Sequence, residues 1–353
     1  MNDSPFVIVS RPTVERQQWD AFVDASDDAW LWHRYDMQDA LSTWPSQKDL
    51  SFAIINQNVN QEFVVIIPLY LIQQKFGNFL KWNLLNSLGG PAFSNEILLR
   101  QRKKIMATAV SHIKKLAEQY SACELTVSMS PVAPVFIGIQ CPRVNPLLEY
   151  GFENIQSQTW IVDLRKSIEQ LWAGMEKRAR TAVRKAEKER VTVREATYED
   201  LDLYYDLHCQ TYKRTGVSPH PKAYFKAIWE NFLVNNLVLI LIAEKEGRPV
   251  AAENFGIFKR SAVYWTGAAN NEGLELQANS LIQWTAMKIL KEKQCLYYET
   301  GEAFPHIFTG KMRGLNNFKR SFGGELYPLY RGRQILNKKR YILREVWRMV
   351  HEF

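Results

Sequence analysis

The two halves of the chain present the same order of predicted elements, and this duplication constrains the fold more than any other feature. Each half predicts a helix, a pair or trio of antiparallel strands, a second helix and a short strand. The predicted segments of the first half are 13–44, 50–56, 62–73, 105–120 and 123–129. Those of the second half are 201–212, 237–243, 250–258, 262–268, 279–291 and 296–300. A duplicated α/β unit is therefore expected.

The length agrees with two domains, because 353 residues exceed the usual size of one hydrophobic core. Pro131, Pro134, Pro142 and Pro146 punctuate the middle of the chain and mark a boundary between the halves. We expect a first domain over residues 1–150, a second over 151–335 and a separate basic helix over 336–353.

Composition excludes several classes of protein. With 46% hydrophobic and 23% charged residues, the chain is expected to fold throughout. Its four cysteines form no CxxC pair, which argues against a zinc ribbon and a disulfide framework. The start of the sequence lacks the apolar core of a signal peptide, and no window has the length of a membrane span, so we expect a cytoplasmic protein.

A net charge of +8 indicates an anionic partner. Nucleic acid, a lipid surface and a phosphorylated substrate are all consistent with that charge. The basic residues are concentrated in three segments, 177–190, 311–320 and 331–348. A solvated helix face is an equally good explanation of the first segment on sequence grounds.

Common catalytic signatures are missing. The sequence has no GxSxG elbow, no GxxxxGK[ST] loop and no GxGxxG following a strand, so three large enzyme classes lack local support. His208 and His220 come closest to the spacing of metal ligands, but no HxxxH or HxxE pairing accompanies them. No metal site is predicted.

Four motifs of the second half occur together in a recognisable order. Residues 180–186 have the sequence RTAVRKA, 278–284 ANSLIQW, 297–301 YYETG and 318–325 FKRSFGGE. In these segments the sequence resembles the Fem family of peptidoglycan-bridge ligases and the related BioF2-like acyltransferases. The first half resembles the family more loosely, through Trp32, Tyr35 and residues 88–91.

The resemblance implies an α/β (α+β) fold of two tandem GNAT-like subdomains, each a mixed, mostly antiparallel sheet flanked by helices. It implies an N-acyltransferase that moves an acyl group from acyl-CoA or an acyl carrier protein to an amine of a cell-envelope glycan or peptidoglycan precursor. No permanent cofactor is expected, and the acceptor is expected to be phosphorylated or linked to a nucleotide or lipid. An aminoacyl-tRNA-dependent ligase is the alternative within the same fold. The usual acyl-CoA loop of GNAT enzymes is missing from residues 271–279.

The resemblance also suggests site residues. Lys319, in the closing motif, is the expected catalytic group, stabilising an oxyanion or holding a phosphate. Arg180 and Arg184, one helical turn apart, are candidates to clamp a diphosphate. Arg214 is placed near the acceptor.

Five further residues complete the expected site. Asn279 and Ser280 are candidates to cap a helix whose backbone N–H groups face the donor. Tyr264 and Trp265 are expected to wall an acyl pocket, although core packing explains aromatic strand residues as well. Glu299 replaces the aspartate common in the family, which argues against a role as general base.

The last predicted helix, 337–353, is basic and amphipathic. Ile342, Val346, Met349 and Phe353 fall on one side, and Arg340, Arg344 and Arg348 on another. The pattern is consistent with peripheral contact with an anionic membrane, and also with packing against its own domain. A non-catalytic module that binds anionic lipid or nucleic acid through the basic segments is the alternative from another functional class.

Overall fold

The computed structural model describes residues 5–58, 62–76, 80–303 and 309–351. The chain forms two units, Met1–Gln156 with Leu329–Phe353, and Ser157–Pro328. The C-terminal segment therefore belongs to the first unit, whereas the sequence suggested a second domain up to residue 335 and a separate tail. Phe353, expected on the apolar side of the last helix, lies outside the described residues.

The first unit contains a long central helix and nine strands before the chain leaves it. Its strands are β1 (Phe6–Ser10), β2 (Gln47–Asp49), β3 (Phe52–Asn56), β4 (Glu62–Ile67), β5 (Tyr70–Phe76), β6 (Leu80–Gly89), β7 (Ala92–Phe93), β8 (Ala122–Met129) and β9 (Glu153–Ile155). Its helices are α1 (Arg16–Ala25), α2 (Tyr35–Leu41) and α3 (Leu99–Tyr120). The predicted segment 13–44 is thus two helices.

The second unit follows without interruption. Its strands are β10 (Gln158–Asp163), β11 (Val191–Glu195), β12 (Val238–Lys245), β13 (Arg248–Phe258), β14 (Ser261–Ala269), β15 (Tyr297–Ala303) and β16 (Glu325–Pro328). Its helices are α4 (Ile168–Gly174), α5 (Lys177–Lys188), α6 (Leu201–Thr215), α7 (Lys222–Ile228), α8 (Asn271–Glu275), α9 (Ala278–Glu292) and α10 (Gly310–Arg320). The chain then returns to the first unit through β17 (Arg331–Ile335) and α11 (Lys338–His351).

Sheet order explains why the C-terminal segment belongs to the first unit. Among the described residues, β17 lies between β8 and β9 in the sheet β2-β5-β6-β8-β17-β9, with antiparallel pairing to both neighbours. A second sheet of that unit has the order β1-β3-β4-β7. The second unit has one sheet, β11-β12-β13-β14-β15-β10-β16. Backbone hydrogen bonds to two strands thus fix β17 in the first unit.

The predicted duplication is confirmed by a parallel strand pair in each unit. In the first, β6 and β8 run parallel and α3 connects them; in the second, β14 and β15 run parallel and α9 connects them. Antiparallel strands precede each pair, β5 with β6 and β12 through β14. Both units therefore contain the predicted meander, helix and strand.

In the sequence, Ser167 and Gln170 have the spacing of a capping box, and the apolar stripe Trp172, Met175, Ala179, Val183 and Ala186 predicts one helix after it. The structure breaks this predicted helix into α4 and α5. Ser167 opens α4 with the expected capping box, in which its Oγ accepts from Gln170 N at 3.2 Å and Gln170 Oε1 accepts from Ser167 N at 2.9 Å. Met175, the residue after Gly174, has extended backbone angles, so α4 ends at Gly174. The apolar stripe nevertheless stays continuous, since Met175, Ala179 and Val183 are all buried.

The closing motif of the resemblance shapes the backbone of the second unit. Gly323 and Gly324 have φ values of +86° and +93°, which side-chain-bearing residues rarely adopt. A Cβ at Gly324 would lie 2.5 Å from the Ile161 carbonyl oxygen, and one at Gly323 would lie 2.8 Å from that of Gly174. Phe322 is buried and packs edge-on against Phe318. These glycines therefore allow the chain to pass close to β10 and α4.

Gly324→Ala is expected to lower the free energy of unfolding by about 3 kcal/mol, because the new methyl group meets backbone in a left-handed conformation. Gly314→Ala is the matched control, since a Cβ at this helical position meets nothing within 4 Å. The control should be neutral or stabilising by about 0.5–1 kcal/mol. Urea unfolding of both variants measures the difference; equal stabilities would contradict this account of the motif.

Candidate functional site

A cavity opens in the second unit where two parallel strands separate. Among the described residues, β14 and β15 pair at Ser261–Tyr297, Ala262–Tyr298 and Val263–Glu299 and at no later position. Beyond these residues β14 continues beside β13, and β15 continues beside β10. The corresponding pair of the first unit, β6 and β8, stays in register as far as Gly89 and Met129.

The cavity has a volume of about 270 Å³. Its wall on the β14 side is made of small residues, Gly267, Ala268 and Ala269, which leave room for a ligand. The other lining residues are Thr211, Arg214, Tyr264, Gly273, Leu274, Gln277, Asn279, Ser280 and Phe318. The cavity therefore combines apolar walls with a few polar groups, as small-molecule sites commonly do.

Helix α9 begins at this cavity. Its N-cap is Gln277, in a left-handed conformation at φ 62°, and Gln277 makes no side-chain cap hydrogen bond. Asn279 and Ser280 lie in the first turn, so the expectation that they cap the helix is wrong. The Asn279 side chain is instead held by Glu253, to which its Nδ2 donates at 2.7 Å. Both residues line the cavity, so the positive end of the α9 dipole lies at its wall.

Glu253, on β13, is the important residue that the sequence analysis missed. It is fully buried, and its carboxyl group accepts hydrogen bonds from Asn279 Nδ2, from Gln283 Nε2 at 2.7 Å and from the Tyr264 hydroxyl at 3.5 Å. Burial raises the pKa of Glu253 to about 8, against the opposing effect of these donors. A glutamate in the segment 250–258, where Asn254 is the one other polar residue, was the available signal in the sequence.

Tyr264 connects that buried acid to the cavity. Its hydroxyl lies over Gly267, where any Cβ would overlap it, and it donates to Glu253. Burial, followed by the nearby Glu253 carboxyl, raises the pKa of Tyr264 well above its ordinary value. The phenol therefore stays protonated and can donate a hydrogen bond.

Trp265 does not share the cavity with Tyr264. Successive side chains of a strand point to opposite faces of the sheet. Trp265 accordingly packs with Tyr224 and Phe232, at ring-centroid distances of 6.2 and 6.1 Å. The expectation that Trp265 walls the acyl pocket is wrong, because Trp265 is the extra residue of a β-bulge in β14 and packs against these two rings instead.

Arg214 lines the cavity, while its expected place near the acceptor stays a prediction. It lies in the last turn of α6, and its guanidinium donates to the Ala269 carbonyl oxygen at 3.0 Å. The residue is otherwise exposed. It is thus an arginine that lines the cavity with part of its donor set facing solvent.

Glu299 belongs to strand β15, and Lys319 of α10 lies beside that strand. The Lys319 Nζ donates to the Glu302 carbonyl oxygen at 3.2 Å, and a Cβ at Gly301 would lie 2.9 Å from that Nζ. Glu299 is buried and accepts a 2.6 Å hydrogen bond from Thr159. Neither belongs to the described lining of the cavity, so the catalytic assignment of Lys319 stays a prediction.

Arg180 and Arg184 are engaged by α4. The Arg180 guanidinium donates to three carbonyl oxygens, those of Trp172, Ala173 and Met175, and so caps the C-terminal end of that helix. The guanidinium of Arg184 lies 5.3 Å from the Trp172 ring centroid. Contacts with α4 account for the positions of both guanidinium groups. That the two arginines clamp a diphosphate stays a prediction.

The histidines most suggestive of a metal site pack among aromatic rings. His208 is fully buried, and its Nε2 accepts from His220 N at 3.1 Å. Burial lowers the pKa of His208 to about 4. Within the described ranges, no group of three or more His, Cys, Asp or Glu residues is arranged to hold a metal ion.

No helix of the described chain combines the length and apolar character needed to cross a bilayer.

A larger recess, about 790 Å³, lies in the first unit between the end of α3, β9 and β17. Its arginine, Arg333, is paired with Glu153 at 2.9 Å, and the helix end nearby is the negative one. None of the family motifs contributes to its described lining. The smaller cavity of the second unit is therefore the better candidate for chemistry.

Comparison with known proteins agrees with this choice. The family profile described as acetyltransferase (GNAT) domain matches residues 173–320, which include most of the cavity lining. The crystal structure of FemX superimposes with a TM-score of 0.68 at 17% identity, over 96% of this chain and 99% of that one. The chain contains a GNAT domain and has the fold of FemX. The predicted tandem GNAT architecture is confirmed.

Two other solved structures have a similar fold. A tandem GNAT protein from the clavulanic acid biosynthesis pathway has a TM-score of 0.52 at 12% identity, covering 94% of this chain and 98% of that one. Saccharomyces cerevisiae N-myristoyltransferase with bound myristoyl-CoA has a TM-score of 0.51 at 10% identity, covering 93% and 79%. Comparison with curated protein sequences gives no significant match. The profile match supports an acyltransferase, and the solved structures show the shared fold.

The raised pKa of the buried Glu253 makes the stability of the folded protein depend on pH. Because the pKa of Glu253 is raised in the folded state, the folded protein holds a proton that the unfolded chain loses above about pH 4.5. The stability contributed by this proton is complete below about pH 4.5 and is lost as the pH rises to about 8.

Relative to Glu253→Gln, wild type should therefore lose stability across this window, with a slope approaching about 1.4 kcal/mol per pH unit. Urea unfolding at a series of pH values measures both proteins. Parallel stability curves for wild type and variant would contradict the raised pKa.

The role of Lys319 can be separated from its packing. If its ammonium stabilises an oxyanion, Lys319→Met should lower kcat about a hundredfold while the melting temperature stays close to that of wild type. Lys293→Met, at an exposed site after α9, is the control. Normal turnover of Lys319→Met, together with a lowered melting temperature for Lys319→Ala, would assign the residue to packing alone.

Proposed function

We propose that the second unit transfers an acyl group from a thioester, acyl-CoA or an acyl carrier protein, to an amine. The observation that carries this proposal is the cavity beside β14, past the point where β14 and β15 stop pairing, with Tyr264 and the first turn of α9 on its lining. The GNAT domain match over the same residues supports it. The acceptor class proposed is a cell-envelope glycan or peptidoglycan precursor, in line with the Fem-like fold.

The donor fits the arrangement of walls. A thioester lying between β14 and β15 places its acyl chain against the small residues Gly267, Ala268 and Ala269. Phosphate groups of the carrier are attracted to the positive end of α9 and to Arg214. The missing acyl-CoA loop sequence is compatible with this, because backbone N–H groups at a helix end require no particular side chains.

The reaction needs few side chains. The neutral amine attacks the thioester carbon, a C–N bond forms, the C–S bond breaks, and the net proton transfer is from nitrogen to the departing sulfur. Tyr264 can mediate that transfer by giving its proton to the sulfur and regaining one from the nitrogen. Glu253 holds the phenol in place from behind and is itself shielded from solvent. Glu253 is thus a positioning residue.

The donor is tested by incubating the purified chain with radiolabelled acyl-CoA or aminoacyl-tRNA and a nucleotide- or lipid-linked muropeptide that carries a free amine. Label should move from acyl-CoA to the amine. Transfer from aminoacyl-tRNA alone would replace the thioester proposal with a tRNA-dependent ligase. Binding of the precursor without transfer from either donor would favour a non-catalytic module.

Tyr264→Phe should lower kcat about a hundredfold with little change in KM, because the ring still fills its place and only the proton donor is lost. Tyr204→Phe is the matched control. Its hydroxyl is also held by one side chain, at 2.6 Å from Thr266 Oγ1, but it does not line the cavity. Steady-state kinetics with the donor identified above distinguishes the two; equal rates for both variants would remove Tyr264 from the mechanism.

A further inference from the structure

Helix α11 turns its basic side towards its own unit. Arg344 is only 5% exposed, and it is paired with Glu124 and, at 3.0 Å, with Glu345. Arg340 donates to the Ser121 carbonyl oxygen at 3.4 Å, and Arg348 lies 3.5 Å from Glu345. The arginine row that the sequence suggested for an anionic partner is therefore used largely for internal contacts.

The opposite side of α11 is apolar and exposed. Five large apolar side chains are each between 54% and 69% exposed, namely Ile342, Leu343, Val346, Met349 and Val350. Their spacing of three and four residues places them on one continuous face of the helix. An apolar row of this kind on a charged chain indicates an interaction surface.

The charges around the apolar face of α11 indicate which kind of partner it binds. Lys338 and Lys339 open the helix and are both exposed. Over its whole length α11 carries five lysines and arginines and one glutamate. A second copy of this helix would bring like charges together, which disfavours a dimer on this face. An anionic lipid surface satisfies both the apolar row and the positive charge.

We propose that α11 lies in the interface of an anionic membrane, with Ile342, Val346 and Met349 among the acyl chains and Lys338 and Lys339 at the head groups. The chain is then a peripheral membrane protein whose first unit carries the anchor. This proposal is independent of the reaction assigned to the second unit, since it rests on residues of the first unit alone.

Co-sedimentation of the full chain with vesicles tests the proposal. Vesicles of phosphatidylcholine with roughly one third phosphatidylglycerol should bind wild type, pure phosphatidylcholine should bind it much less, and added salt should weaken binding. The triple variant Ile342→Ser, Val346→Ser, Met349→Ser should bind about tenfold more weakly or worse. Its substitutions are exposed, so little loss of stability is expected.

Two controls complete the test. Leu99→Ser, Ile139→Ser, Val144→Ser removes three exposed apolar side chains elsewhere in the same unit and should leave vesicle binding unchanged. Lys338→Glu, Lys339→Glu should weaken binding to the anionic vesicles about tenfold, whereas Lys103→Glu, Lys104→Glu, on the exposed side of α3, should weaken it far less.

Three results would overturn the proposal. The first is absence of wild type from the anionic vesicle pellet. The second is unchanged binding by the α11 triple variant. The third is a wild-type dimer in analytical ultracentrifugation that the triple variant abolishes, which would assign the apolar face to a second copy.

Discussion

The early end of the pairing between β14 and β15 is the constraint on which the candidate site depends. Both strands continue past Val263 and Glu299, but each is then held by its other neighbour. Buried backbone N–H and C=O groups need hydrogen-bond partners. The space between β14 and β15 is therefore stable only if other residues fill or line it. Here small β14 residues, the start of α9 and Phe318 supply that lining. In the first unit the equivalent pair stays closed for several more residues, and the duplicated architecture therefore has its opening in the unit that carries the GNAT motifs.

Glu253 makes that opening rigid. A buried carboxyl group is costly unless it is neutral or well hydrogen-bonded. Its described partners are two amides and a phenol, with no cation among them. They come from α9 and β14, and Gln283 in turn accepts from Tyr298 of β15 at 2.5 Å. One acid thus joins two walls of the cavity, β14 and α9, to strand β15 in a single hydrogen-bond network, and costly polar groups of this kind are often retained for function.

Much of the fold was predictable because apolar periodicity is a local property. The strands β12–β14, the helices α3 and α9 and the capping box at Ser167 follow from nearest neighbours in sequence. The site was less accessible, since it depends on where two strands stop pairing, a long-range property. Tyr264 and Trp265 are adjacent in sequence yet lie on opposite faces, and Arg180 is occupied by carbonyl groups that only the break after Gly174 exposes. The glycines of the closing motif contribute to the family resemblance in sequence. Their physical role is to let the backbone pass close to the carbonyl groups of Gly174 and Ile161.

The central claim is that the thioester binds between β14 and β15. A crystal structure with an unreactive ketone analogue of acetyl-CoA tests it most directly. We expect density for the analogue in the cavity of the second unit, with the methylene that replaces the thioester sulfur about 3 Å from the Tyr264 hydroxyl and the phosphates near the start of α9. Density confined to the recess beside β17 in the first unit, with the second cavity unchanged, would contradict the account.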